Sequence, residues 1–534
     1  MHNFAHQFHG NKFLEIILKF PCPQKILMVT DGLDFGTDGF GLSEFVTIVK
    51  NAGHTVATAH RNGSGPNLTI AGNFNFATAA TAVTTANYDQ LWLFGASTAA
   101  LSAPEQTTIA QFMKSGGGVF ATGDHETIGA GMGANIPRVR TMRNWGNIPG
   151  VNPIPMTNPN RHDTVLDPGA DNVKQFEDQA DAIPQRIYPV FFSNGEPDNV
   201  ASSWSVHPVL RHPSGAVDYL PDHPHESECL APTPVAGNFA GVTEWPALIP
   251  AQIAAVSISA GRFIVAPTAS DTKPPVRPRC FGAISAYDGD AVGGAVPVGR
   301  IVCDATWHHF VNVNLNGSGA GLDPTTGLPR TGLYAAAIPT PEYLKIQRYY
   351  LNTVRWLAPR GRRLCWPFLQ VALARFDFEV AELQLPLPHP CPWDPLMRIG
   401  LVAEEAVTRH WGPGALAEIV DEMLSTSDAT ATLARLLKAQ QYAQSDDQEK
   451  RAEPSLLPLH DIRRAILGSV VNLLAHKLPA DEEKLEGLLK KGHDKLARDL
   501  ISEGISGAEQ AINDYLQRAL KQTTAFAKAI QARK

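Results

Sequence analysis

The chain reads as an α/β protein: a parallel sheet with helices on both faces and a long insertion, followed by a smaller all-α domain. Three observations carry this. Short apolar runs alternate with amphipathic segments from residue 25 to 122. A stretch rich in Pro, Asn, Asp and His then weakens that pattern from 134 to 260. From 396 onward the composition shifts to Ala, Leu, Glu and Lys, with apolar residues at helical spacing. Strands alternating with helices predict a parallel sheet, because each crossover helix packs back on a face.

Ile26 to Thr30 reads as a buried strand, followed by a Gly- and Asp-rich loop from Asp31 to Gly41. The next segment carries Phe45, Ile48, Val49 and Ala52 on one helical face, and Gly53 suits its end. Thr55–Ala59 and Tyr88–Phe94 are the second and third strands. Ser102-Ala103-Pro104-Glu105 has capping-box spacing and opens a helix that stops at Gly116. Val119–Thr122 is a strand. Arg262–Ala266, Phe281–Tyr287 and Arg300–Ala305 regain strand character, and a helix over 341–357 closes the unit. The boundaries are then an N-terminal extension (1–24), an α/β domain (25–359), a Pro-rich linker (360–395) and a helical domain (396–534).

At 534 residues the chain is long enough for two or three cores. Hydrophobic content of 44% with 18% charged residues describes a soluble globular protein, and a net charge of −7 argues against nucleic-acid or anionic-membrane partners. Six cysteines without a C-x-x-C pair give no zinc ribbon and no disulfide framework; they read as reduced thiols in a cytoplasmic setting. No signal peptide or membrane-spanning run is expected.

Chemistry-bearing residues concentrate in three clusters. Asp124-His125-Glu126 follows the strand that ends at Thr122, and His308-His309 follows the late strand. Asp222-His223-Pro224-His225-Glu226 lies between them. Parallel α/β sheets bind ligands beyond the carboxyl ends of their strands. Carboxylates and imidazoles there can move protons or hold a divalent metal such as Zn, Mn or Fe. His125, His223, His225, Glu226 and His308 are the metal candidates; Asp124, His125, Glu126 and His308 are the catalytic ones. Asp31, Asp34, Arg138 and His309 are candidates for binding a small polar ligand. The alternative is that Asp124 caps a turn, that 222–226 is a solvated loop, and that Arg138, Arg140 and Arg143 are structural charges. Adjacent His308 and His309 diverge, so one of them is expected to face the site. The loop after the first strand lacks G-K-[ST] and is no P-loop.

The first domain resembles the class I glutamine amidotransferase-like superfamily, and within it the ThuA-like (trehalose-utilisation) branch. The residues that carry the resemblance are Lys25–Thr30, Val119–Thr122 with Gly123-Asp124-His125, His207-Pro208-Val209-Leu210, and Gly299–Val302 leading to His308. It covers roughly 25 to 359. It implies a flavodoxin-like sheet, a catalytic His at 308 or 309, and a hydrolase-like activity on a sugar-derived ligand. Where amidotransferases carry a nucleophilic Cys, this chain has Asp124 and His125, so glutamine hydrolysis is not expected. Two functions follow as expectations: a hydrolase-like enzyme with a His/carboxylate site, or a non-catalytic binding or scaffold protein. The second would assemble as a homo-oligomer, or with a protein partner, through 396–534.

Overall fold

The computed structural model describes residues 22–124, 127–146, 185–194, 203–221, 227–259, 279–293, 298–319, 329, 331–426, 457–490 and 493–532. Its centre is a nine-stranded sheet. In chain order the strands are β1 (Lys25–Thr30), β2 (Thr55–His60), β3 (Ile70–Asn73), β4 (Gln90–Phe94), β5 (Gly118–Thr122), β6 (Tyr188–Pro189), β7 (Gln252–Ser259), β8 (Arg279–Tyr287) and β9 (Ile301–Asp304). Their order in the sheet is β3-β2-β1-β4-β5-β9-β8-β7-β6. Pairing is parallel from β3 to β9 and antiparallel beyond it.

The period of two along each strand sorts the core. Ile26 and Met28 join Trp92, Phe94 and Phe120 on one face; Leu27 and Val29 join Leu91, Leu93 and Val119 on the other. Helix α1 (Ser43–Asn51) brings Phe45 and Val49 to the first face, and α3 (Pro341–Trp356) brings Tyr349 and Tyr350. Helix α2 (Ala103–Lys114) covers the second with Ile109, Phe112 and Met113. The expected start of α2 is realised: the Ser102 N–H and hydroxyl donate to Glu105 Oε2 at 3.0 and 2.8 Å.

Three features depart from the sequence reading. First, β7 lies inside the segment read as an insertion and pairs with β8 over most of its length. Val256-Ser257-Ile258-Ser259 alternates as a strand should, but Ala254-Ala255 interrupts the pattern where the register also shifts, which leaves only four regular residues to read. Second, the segment read as a Pro-rich linker contains α4 (Cys365–Arg375), and the helical core begins at Leu364. That core continues through α5 (Trp393–Trp411), α6 (Ala415–Thr426), α7 (Leu459–Lys477), α8 (Glu482–Lys490) and α9 (His493–Gln531). Helices α5 and α7 cross closely: a Cβ on Gly400 would lie 2.2 Å from the Arg464 carbonyl oxygen. Third, the reading of six reduced thiols is corrected by a Cys22–Cys365 disulfide, which ties the segment before β1 to α4. The expected strand at 262–266 lies outside the described residues. Among those described, no helix is long and apolar enough to cross a membrane.

Cys229, Cys280, Cys303 and Cys391 are unpaired. Thiol titration of the denatured, unreduced protein is therefore expected to give four free thiols per chain, and six would contradict the pairing.

Candidate functional site

Strands β5 and β9 are parallel neighbours in register, with Ala121 opposite Cys303. Their exits therefore stand side by side. After β5 the chain passes Gly123 and reaches Asp124; after β9 it makes a single turn at Trp307–His309. The Trp307 N–H donates to the Gly123 carbonyl at 2.8 Å, joining the two exits. Arg143 locks them further. Fully buried, it donates from Nη2 to the carbonyls of Asp124 (2.7 Å) and Ala305 (2.7 Å), from Nε to Asp304 (3.2 Å) and from Nη1 to Asn144 (3.1 Å). Burial pushes its pKa down, opposing its charge.

The side chains that meet there are Asp124, Thr306, His308 and Asn314. The Thr306 hydroxyl donates to Asp124 Oδ1 at 3.4 Å, and His308 Nε2 lies 3.9 Å from Asp124 Oδ2. On its other side His308 Nδ1 is 3.3 Å from Asn314 Oδ1, and the ring stacks on Trp307 with centroids 4.4 Å apart. The Asp124 side chain is 4% exposed and that of His308 is 16% exposed, so the imidazole is the group that meets solvent. Phe40, itself exposed, sets its ring edge-on to Trp307 and His308.

His309 turns the other way, as expected of adjacent residues. It is fully buried, with Nδ1 2.6 Å from Asp304 Oδ1, while the Tyr349 hydroxyl donates to Asp304 Oδ2 at 2.7 Å. It braces the strand end, which is not the ligand-binding role expected for it.

The remaining candidates serve loops. Asp31 Oδ1 accepts the N–H groups of Ala96 (2.6 Å) and Ser97 (2.9 Å), binding the β1 exit to the β4 exit; burial raises its carboxyl above the usual range. Asp34 accepts the Gly36 N–H at 2.6 Å and shapes a turn. Arg138 is buried, donates to the Glu244 carbonyl at 2.6 Å and lies over the Tyr287 ring. The structure does not bring it to Asp124. Glu244 is also bidentate with Arg140, so both arginines are structural here.

His125, Glu126, His223, His225 and Glu226 lie outside the described residues. Among the described ones no group of three or more His, Cys, Asp or Glu could hold a metal ion. Asp124 and His308 offer one carboxylate and one imidazole, two donors of the four a structural zinc takes. A thiol nucleophile is not on hand: Cys303, inside β9, is fully buried and its pKa is pushed up to about 12 by that burial. What the pair can do is move a proton between a solvent-facing imidazole and a group bound over it.

Thr306, Asn314 and Phe40 escaped the sequence reading. The Val311-Asn312-Val313-Asn314 repeat was the available signal, since it places amides among buried valines. Asn312 donates to the carbonyls of Gly36 (2.9 Å) and Asp38 (2.8 Å) and so ties the loop after β1 to the His308 turn. Comparison with protein-family models, curated proteins and solved structures returns no match to this chain.

Replacing Arg143 with Met removes the guanidinium donor from the carbonyls of Asp124, Asp304 and Ala305, while Asn144 keeps the Ser227 hydroxyl. The cost expected is about 3 kcal/mol of stability in denaturant unfolding. A variant within about 0.5 kcal/mol of wild type, the usual range for surface substitutions, would contradict the locking role.

Proposed function

We propose that the chain is a hydrolase-like enzyme whose acid–base centre is Asp124 with His308, acting on a small polar, sugar-derived ligand. The observation that carries this is the convergence of one carboxylate and one solvent-facing imidazole at the exits of adjacent parallel strands, where such sheets bind ligands. In this reading His308 takes a proton from an attacking water. Asp124 balances the imidazolium, and Asn314 and Trp307 fix the ring. The flavodoxin-like sheet and the ThuA-like branch belong to the same proposal and rest on the sequence resemblance. In a metal-assisted alternative His308 would instead be a ligand, with His125, His223, His225 and Glu226, and the ion rather than the imidazole would activate the water. The lack of a thiol at Asp124 argues against a glutaminase. A cytoplasmic setting is proposed from the four unpaired cysteines, and the Cys22–Cys365 disulfide pulls against it.

The test is turnover of a panel of nitrophenyl glycosides and sugar esters, with metal content read by inductively coupled plasma mass spectrometry. Asp124→Asn and His308→Ala are each expected to lower kcat by about 100-fold or more while keeping the wild-type circular dichroism. About one equivalent of metal per chain, reduced in His308→Ala, is the result expected for the metal-assisted form. Undiminished turnover in both folded variants would remove the pair from catalysis.

One observation favours the scaffold reading. Beyond Leu516, which with Tyr515 still packs on the helical core, α9 exposes Leu520, Phe526 and Ile530. Leu516, Leu520, Thr523, Ala527 and Ile530 recur at coiled-coil spacing, with uncharged Gln517, Ala519, Thr524 and Phe526 beside them. Nothing in that seam repels a second copy. Light scattering on a sizing column is expected to give twice the chain mass, and the chain mass for the Leu520→Glu/Ile530→Glu variant. A wild-type monomer would discard self-assembly.

A further inference from the structure

Arg138 is a buried charge whose donors are mostly unused. The residue is 1% exposed, and its side chain makes one hydrogen bond among the described residues, from Nη1 to the Glu244 carbonyl at 2.6 Å. That bond is structural. A guanidinium carries five N–H donors, however, and the buried Nε has no acceptor. Nor does a carboxylate among the described residues form an ion pair with it. Glu244 gives its two oxygens to Arg140, at 2.7 and 2.9 Å, and its Oε1 takes the Arg138 main-chain N–H at 3.1 Å. Burial lowers the Arg138 pKa, with Tyr287 and Glu244 opposing, and an arginine stays charged inside proteins.

Arg138 lines a cavity of about 650 Å³ between the last turn of α2 and a hairpin whose strands are Asn238–Phe239 and Val242–Thr243. Lys114 and Val298 also line it, shortly before β5 and β9 begin. The cavity therefore opens at the amino ends of those strands, about 13 Å of strand from the exits where Asp124 and His308 meet. Among its described lining residues Arg138 and Lys114 are cations, and there is no carboxylate. Lys114 is exposed, and a lone lysine there is the ordinary complement of a helix end, so it makes no site by itself. The carbonyls at that helix end, which would repel an anion, are engaged: Gln111, Phe112 and Met113 accept the N–H groups of Ser115, Gly117 and Gly116 at 3.0, 3.0 and 3.1 Å. Buried donors without acceptors are rare, and an unfilled ligand position is one explanation of them.

We propose that this cavity binds a small organic carboxylate, anchored by Arg138, at a site separate from Asp124 and His308. With Nη1 engaged, the guanidinium edge that remains whole is Nε with Nη2. Its two parallel N–H groups match the two oxygens of a carboxylate. One buried cation answers one negative charge. Lys114 is solvated at the rim, so a phosphate dianion would be poorly matched there. Val242 and Pro246 offer apolar surface for the body of the ligand, and Asn238 and Thr243 an amide and a hydroxyl for its polar groups. The bound carboxylate supplies Arg138 with the acceptor and the counterion it lacks.

The experiment is saturation-transfer NMR of the full chain with benzoate and with benzamide, its uncharged counterpart, in chloride buffer at fixed ionic strength. Saturable binding of benzoate is expected, and none of benzamide. Arg138→Lys keeps the charge but loses the fork, and should weaken benzoate by about tenfold or more, the usual effect of losing a charged hydrogen bond. If that variant loses the wild-type circular dichroism, Thr243→Asp decides. Thr243 is exposed on the hairpin, and the substitution sets a carboxylate in the lining of the same cavity, with a loss of similar size expected. Asp124→Asn should leave binding unchanged, so failure here is separable from failure of the proposed catalytic pair. Absence of saturable benzoate binding overturns the proposal. So does equal binding of benzamide, displacement by inorganic phosphate at lower concentration than by acetate, or benzoate binding that Thr243→Asp leaves intact.

Discussion

A buried guanidinium fixes the part of this fold where chemistry is possible. Arg143 spends its hydrogen bonds on main-chain carbonyls: those of Asp124 after β5, Asp304 and Ala305 at the end of β9, and its own neighbour Asn144. Strand exits are ordinarily free to diverge once the ladder ends. Here the carbonyls that would lose their ladder partners are gathered onto one cation, and the cation is held by them against the cost of burial. The positions of Asp124 and of the Thr306–His308 turn follow from that gathering. Asp304 completes it from below, with His309 and Tyr349 on its two oxygens.

Much of this was legible in the sequence, and the rest was hidden for physical reasons. Buried parallel strands are short apolar runs, so β1, β4 and β5 could be read within two residues of their observed limits. Helix α3 was equally plain from its period. By contrast β7 shows only four regular residues, Val256 to Ser259, and the rest of its strand character depends on pairing with β8, a long-range fact no window of residues contains. Helix α4 was missed because the surrounding prolines dominated the composition. The Cys22–Cys365 pair is separated by 343 residues, beyond any spacing rule.

The same contrast applies to the site. Strand-end logic located Asp124 and His308, and it anticipated that only one of two adjacent histidines would face the pair. It could not separate Arg143, a structural clamp, from Arg138 and Arg140, which answer to Glu244. Nor could it see the charged seam between the two units, because Arg211, Arg300, Arg360 and Glu418 are far apart in sequence and meet only where α6 docks. One short strand, β9, thus connects a carboxylate–imidazole pair at one end with that seam at the other. A change in how the helical unit sits would be felt at Arg300, the residue before β9.

Whether Asp124 and His308 interact is the claim on which the functional reading stands. A double-mutant cycle in urea, with Asp124→Asn, His308→Gln and the double variant, measures it directly. The account predicts a coupling of about 0.5 kcal/mol or more, as for residues in one hydrogen-bonded group. Single-variant effects that add to within about 0.3 kcal/mol would mean that the two side chains are independent, and would contradict it.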